Sequence, residues 1–356
     1  MNQTSVNTEQ TWGGLKHSLV GGLELMHESQ TNTGFGTTAQ TIRGVSYAAI
    51  TNPAANLYNP NANDTLGIPY ATGVDTDGST TTIGLYALDT VDLTQNLKVN
   101  AGLRLDHYSI KTKAGTLITS DNLAANPGYA VGGIAPSSLS DSDNLVSWNL
   151  GVVYKPVAHG SVYAAVANAL TPPGGNNFVL SASATNQANS ALDPQETTTI
   201  EVGTKWDLLD EKLNVSAAIY RAENDKQTSV DSFGQTLQFG KTRVDGIEFA
   251  AVGQITNIWQ VSAGLAFMDA KQIKQFSSAT SENNGVRWSP EMTASVWTSY
   301  TAGDFTLGGG VRHVSDQKRV ITKGADLSTQ NMPKIPSYTL VDLMAAYKVS
   351  KNLNLQ

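Results

Sequence analysis

Residues that could do chemistry are few and scattered. The five histidines, His17, His27, His107, His159 and His313, show no zinc-ligand spacing. With no cysteine in the chain, disulfides and thiolate metal sites are excluded. Neither a phosphate-cradling glycine loop nor a Gly-x-Ser-x-Gly elbow is present. The tract Asp75-Thr76-Asp77-Gly78 begins like a calcium loop, but the bidentate glutamate such a loop needs would fall on Tyr86. No catalytic residue and no metal ligand is therefore assigned. No cofactor is expected, and an enzyme is a poor reading. The net charge of −7 argues against a nucleic-acid partner.

What the remaining polar residues can do depends on the elements that carry them, and those elements are β-strands. In Leu97–Tyr108, the residues Leu97, Val99, Ala101, Leu103 and Leu105 share one face, and Lys98, Asn100, Arg104 and Asp106 the other. The same alternation runs through Leu213–Ile219, Trp259–Phe267, Phe305–Val311 and Val341–Val349. Fourteen strands are predicted: 3–12, 15–28, 80–93, 96–110, 143–155, 158–169, 196–208, 211–226, 236–253, 256–274, 284–301, 304–317, 336–349 and a stub from 351. Their alternation is expected to hold throughout. Short Gly, Asn and Asp turns alternate with long polar connections, notably 30–79, 111–142 and 170–195.

Short turns at one end and long loops at the other are the pattern of an outer-membrane β-barrel. Several strands alternate for about ten residues, the length a tilted strand needs to cross a bilayer. Sandwich strands are shorter, and no fixed repeat supports a solenoid. Mean hydropathy is −0.21 with 15% charged residues, and no long apolar run offers a transmembrane helix. Trp12, Trp206, Trp259, Tyr154, Tyr300 and Tyr347 sit near strand ends, where barrels carry aromatic girdles. On this reading Glu201 and Lys205 share the lumen face with Gly203 and Asp207, and Glu248, Arg221, Arg312 and Asp342 are read the same way. Such charges either contact something inside the barrel or form an ordinary polar ladder.

Five segments together resemble a known family. They are Gly84–Asp89 followed by Leu97–Tyr108; Leu170-Thr171-Pro172-Pro173-Gly174-Gly175-Asn176-Asn177-Phe178; Leu192–Glu196 with Ile200–Trp206; Arg243–Phe249; and Ile335–Asp342. In this order they are similar to the TonB-dependent outer-membrane receptors for ferric siderophores, most like the catecholate type. The resemblance implies an all-β, antiparallel transmembrane β-barrel, here partial, with about 14 of about 22 strands. It also implies bacterial outer-membrane localisation, a ferric siderophore as ligand, TonB as partner through a plug domain, outer-membrane lipid around the barrel, and a monomer. The family's plug and TonB box have no counterpart in residues 1–356, and the start at Met1 lacks a signal peptide's basic and apolar regions. The family also ends on an aromatic residue, whereas this chain ends at Gln356. The expectation is a piece of the barrel domain with two unpaired edge strands.

Catecholate ligands are anionic and aromatic, so a site for them should combine Arg or Lys with Tyr, Trp or Phe. Arg287 beside Trp288, Arg319 and Phe178 are the chosen ligand-binding residues. Arg43 with Tyr47, Tyr58, Tyr70, Tyr129, Phe233, Lys318 and Lys323 are further members of the same chemistry. For any one of them a solvated loop position is the commoner state. Gly174-Gly175-Asn176-Asn177 is either a backbone turn that approaches ligand or simply a tight turn. Two rival functions remain. One is a passive diffusion porin. The other is a receptor for another scarce solute, cobalamin or a glycan, the latter suggested by Asn52, Asn56, Asn59, Asn61 and Asn63.

Overall fold

A computed structural model describes the chain except residues 57, 176, 231–235, 275–285 and 319–333, and gives only the backbone at 229, 230, 236, 239 and 274. Fourteen strands form one antiparallel sheet in sequence order. They are β1 (Asn2–Trp12), β2 (Leu15–Asn32), β3 (Thr76–Asp92), β4 (Leu97–Leu117), β5 (Ile134–Val157), β6 (Gly160–Thr171) and β7 (Gln195–Leu208). Then come β8 (Leu213–Val230), β9 (Thr236–Thr256), β10 (Trp259–Lys274), β11 (Met292–Ala302), β12 (Phe305–Val314), β13 (Tyr338–Ser350) and β14 (Leu353–Leu355). Each strand pairs only with its sequence neighbours, so β1 and β14 leave two free edges. No described helix is long and apolar enough to cross a membrane, a fact that bears on helices alone.

Alternation sets the two faces. The outward apolar sets run over nine residues in β3 (Ile83–Val91), β4 (Leu97–Leu105), β5 (Val146–Tyr154), β10 (Trp259–Phe267) and β13 (Val341–Val349). Nine tilted residues make a band about 20 Å tall. Side chains in it touch little of the protein: Leu343 is 86% exposed and Leu307 63%. Such surface is stable only against hydrocarbon. A polar pair interrupts the band on β2 and β3, where His17 Nδ1 and Asp89 Oδ2 lie 2.7 Å apart beside the Trp12 ring.

Several strands are longer than the alternation predicts. β4 continues to Leu117 and β5 begins at Ile134, nine residues before the predicted start at 143. Above the apolar band the ladder persists, but Ser138, Ser140 and Ser142 face Lys113, Lys111 and Ser109. Both faces there meet water or loops, so the contrast that reveals a strand is lost while its hydrogen bonds remain. β11 starts at Met292 rather than 284. β1 departs in the other direction. Its outward residues are Asn2, Thr4, Val6, Thr8, Gln10 and Trp12, so the alternation expected throughout is absent there.

The buried apolar cluster lies on the inner face. Tyr108, Ile110, Leu145 and Leu180 form it, with Leu139 and Leu170 packed against them. Leu180 comes from the loop 172–194, which folds inward over β3–β5.

Candidate ligand vestibule and lumen wall

The inner wall is built from cross-strand polar sets. On β2–β4, Arg104 binds Asp106 through Nε and Nη2 at 2.8 and 2.7 Å, reaches Glu24 at 3.2 Å, and lies over the Tyr86 ring. On β6–β7, the Tyr163 hydroxyl donates to Glu201 at 2.5 Å, and Lys205 stands 5.3 Å from the ring centroid. Arg312 pairs with Asp342 at 3.1 Å on the last strands. Three tyrosine rings lie flat across the wall, each over the glycine opposite it: Tyr86 on Gly22, Tyr163 on Gly203 and Tyr220 on Gly246. A β-carbon at any of these glycines would collide with the ring.

Glu201, Lys205, Glu248, Arg312 and Asp342 thus occupy the lumen face, as the sequence predicts. Arg221 does not. It follows Ile219 and stands opposite Ile200 and Asp245, so it points outward, immediately above the apolar band. The period of two places it with Leu213, Val215, Ala217 and Ile219; the lumen assignment fails on parity. It belongs to rows of outward charge in which Arg221 and Arg243 share Asp245 at 2.6 and 3.1 Å. Farther out, Asp225 and then Glu223 hold the Lys241 ammonium above its ordinary pKa range by hydrogen bonding.

The long loops are structured at the rim. In 33–75, Phe35–Gly36 pairs with Tyr70–Ala71, and Gln40–Ile42 with Val45–Tyr47. Tyr47 and Tyr70 stack at 4.2 Å. Arg43 is left-handed at φ 50°, and its N–H donates to Gly132 of the next long loop at 2.8 Å. Three of the five asparagines are occupied within the loop: Asn56 Oδ1 accepts from the N–H of Tyr58 and Asn59, Asn61 Oδ1 from Asn63, and Asn52 Oδ1 from Gly67. The calcium-like tract is occupied too, since Asp75 accepts from Gly34 and Asp77 from Thr31.

The chosen ligand residues fall on separate loops. Arg287 and Trp288 are both exposed between β10 and β11. The Trp288 N–H donates to the Lys318 carbonyl at 3.0 Å, which sets this pair beside a further lysine. Phe178 lies half-buried in 172–194, with its backbone held against β3 and β4. Among the described contacts none joins Phe178 to Arg287 or Trp288. Arg319, Lys323 and Phe233 lie outside the described residues. Phe178 and Trp288 share one unusual property: φ is 58° and 60°, a left-handed backbone that bulky residues rarely adopt. Such strain costs about 1–3 kcal/mol and concentrates at functional positions.

Sequence reasoning missed the residues that fix Phe178. The Thr112 hydroxyl donates to its carbonyl at 3.2 Å and accepts from the Leu180 N–H at 2.8 Å. A β-carbon on Gly78 would strike the same carbonyl. A lumen threonine and a glycine in an acidic tract carry no signal of such a contact; only the three-dimensional approach of the loop reveals it.

The family model described as "TonB dependent receptor-like, beta-barrel" matches residues 2–356. The chain belongs to that family. It is 30% identical to the catecholate siderophore receptor Fiu of Escherichia coli K12 over 362 aligned positions, covering 100% of this chain and 46% of Fiu. It is 30% identical to the probable TonB-dependent siderophore receptor PiuA of Acinetobacter baumannii over 294 positions, covering 79% of this chain and 36% of PiuA. The closed crystal form of Fiu from E. coli K12, a ferric-catecholate import receptor, superposes with TM-score 0.85 at 29% identity, over 99% of this chain and 48% of that one. The open form gives TM-score 0.72 at 27% identity, over 99% and 45%. The chain therefore spans about half the length of the relatives it matches. These findings make it an outer-membrane β-barrel of the TonB-dependent receptor family, whose matched relatives are transport receptors rather than enzymes.

Proposed function

We propose that the chain is part of the barrel wall of a receptor that takes up a ferric catecholate siderophore. Arg287, Trp288, Arg319 and Phe178 are its ligand-facing residues. Iron arrives inside its chelator as cargo, so no protein ligand to the metal is required. TonB acts through a plug held against the lumen wall, and outer-membrane lipid covers the apolar band of a monomer. The observation that carries this reading is the match to Fiu along the whole chain. The exposed cation–aromatic pair Arg287–Trp288 at the long-loop end supports the ligand class, because a guanidinium beside an indole suits an anionic, aromatic partner.

The glycan reading is weakened, since Asn52, Asn56 and Asn61 already spend their side-chain oxygens on loop N–H groups. A passive porin fits less well because the receptor-barrel family model matches the chain from residue 2 to residue 356. The test is growth of an iron-starved strain lacking its own catecholate receptors, complemented with the intact receptor. Growth on iron(III)–catechol complexes that disappears in a TonB-deficient background supports the proposal. Growth independent of TonB would turn the reading toward a porin.

A further inference from the structure

The loop 172–194 leaves β6, returns into β7, and is fastened to the wall on both sides of that origin. One pin is at β3–β4. There Thr112, 2% exposed, satisfies both the Phe178 carbonyl and the Leu180 N–H, and Gly78 leaves room for that carbonyl. Leu180, 4% exposed, closes over Ile110, which is fully buried. The second pin is a bulge in β8, where Lys226 takes φ 60° and the register shifts. The Lys226 carbonyl receives the side-chain amides of Gln187 at 3.3 Å and Gln238 at 3.1 Å. Gln187 also accepts from the Thr228 N–H at 2.7 Å. At the third pin, on β9, the Gln238 side chain bonds both the N–H and the carbonyl of Asp193, at 2.8 and 2.9 Å.

The described residues of the segment are thus tied to strands from β3 to β9, with Leu180 seated on the inner face. Swinging it away would strip partners from the buried Leu180 N–H and Thr112 hydroxyl and uncover Ile110. We infer that residues 172–194 form a pinned shelf beneath the ligand rather than a moving lid, and that Thr112 is a positioning residue acting through Phe178. The shelf follows from the bonds alone. Its effect on ligand rests on the ferric-catecholate reading. Thr112 itself touches no ligand; it fixes the backbone that presents the half-exposed Phe178 ring, while closure over the ligand is left to the other long loops.

The experiment uses the intact receptor in detergent and reads two quantities. One is amide hydrogen exchange at Val179–Leu180; the other is equilibrium binding of the iron(III) tris-catecholate complex. In the wild type the Leu180 amide exchanges slowly, with or without ligand. Thr112→Val keeps the shape and removes the hydroxyl; it speeds exchange and weakens binding about tenfold, the scale of one buried hydrogen bond. Thr112→Ser keeps the hydroxyl and stays within about twofold of wild type in both readouts. Gly78→Ala, which leaves Thr112 in place, repeats the Thr112→Val result. Fast exchange that turns slow only when ligand is added would make the segment a lid and overturn the inference. Loosened exchange with unchanged binding would overturn the positioning role. A protected Leu180 in a receptor that binds no iron(III) catecholate would support the shelf while ending both the ligand reading and the role of Thr112.

Discussion

Two loops on the same rim hold an aromatic residue in opposite ways. Phe178 and Trp288 have nearly the same left-handed backbone, at φ 58° and 60°. Around Phe178 the strain is locked by a buried cluster, a threonine and a glycine. Around Trp288 the described hold is a single backbone hydrogen bond to Lys318, and both it and Arg287 stand in solvent. The first arrangement is costly to undo and suits a fixed surface. The second presents exposed side chains and suits capture. An energetically strained residue can therefore mark a scaffold or a contact, and the packing around it tells which.

The largest effect that separates the two is expected in the core beneath the shelf. Ile110→Ala leaves a cavity and should cost about 2–4 kcal/mol. Hydrogen exchange should place the loss at 178–182, with Arg287 and Trp288 unaffected; a uniform loss across both loops would erase the distinction. Next comes Arg287→Gln combined with Trp288→Ala. Ligand affinity should fall by about 1–3 kcal/mol with no change in exchange at Leu180. If stability falls as well, this pair is structural.

Gln187→Ala should loosen the β8 pin by about 1 kcal/mol. Exchange should rise at Thr228, whose N–H loses its acceptor, while Leu180 stays protected. The smallest effect compares Trp288→Gly with Trp288→Ala. Glycine tolerates the left-handed backbone and alanine does not, so the glycine variant should melt higher and be more stable by about 0.5–1 kcal/mol, at equal loss of ligand binding. Equal melting would mean that Trp288 bears no strain.

Legibility in the sequence followed the solvent on each face. Where one face meets hydrocarbon and the other a polar lumen, as from Leu97 to Leu105, strand and orientation could be read directly. Above the band both faces are polar, so the extensions of β4 to Leu117 and β5 back to Ile134 carried no pattern. Arg221 was misplaced for a related reason: a charge ending an apolar face looks like a lumen residue unless parity is counted from Ile219. In β1 the chemistry itself breaks the rule, because Asn2, Thr4, Thr8 and Gln10 face outward. Arg287 and Trp288 were visible as neighbours in the chain. The Thr112–Phe178 contact joins residues 66 positions apart, and nothing local announces it.

The three tyrosines laid over glycines on the inner wall have a mechanical consequence. Gly22, Gly203 and Gly246 leave hollows, and the rings of Tyr86, Tyr163 and Tyr220 fill them flush. A wall finished in this way offers shallow relief instead of projecting knobs. At those three places the relief of the inner surface is set by the ring and not by the strand opposite, and a side chain larger than hydrogen at the glycine would lift the ring off the wall.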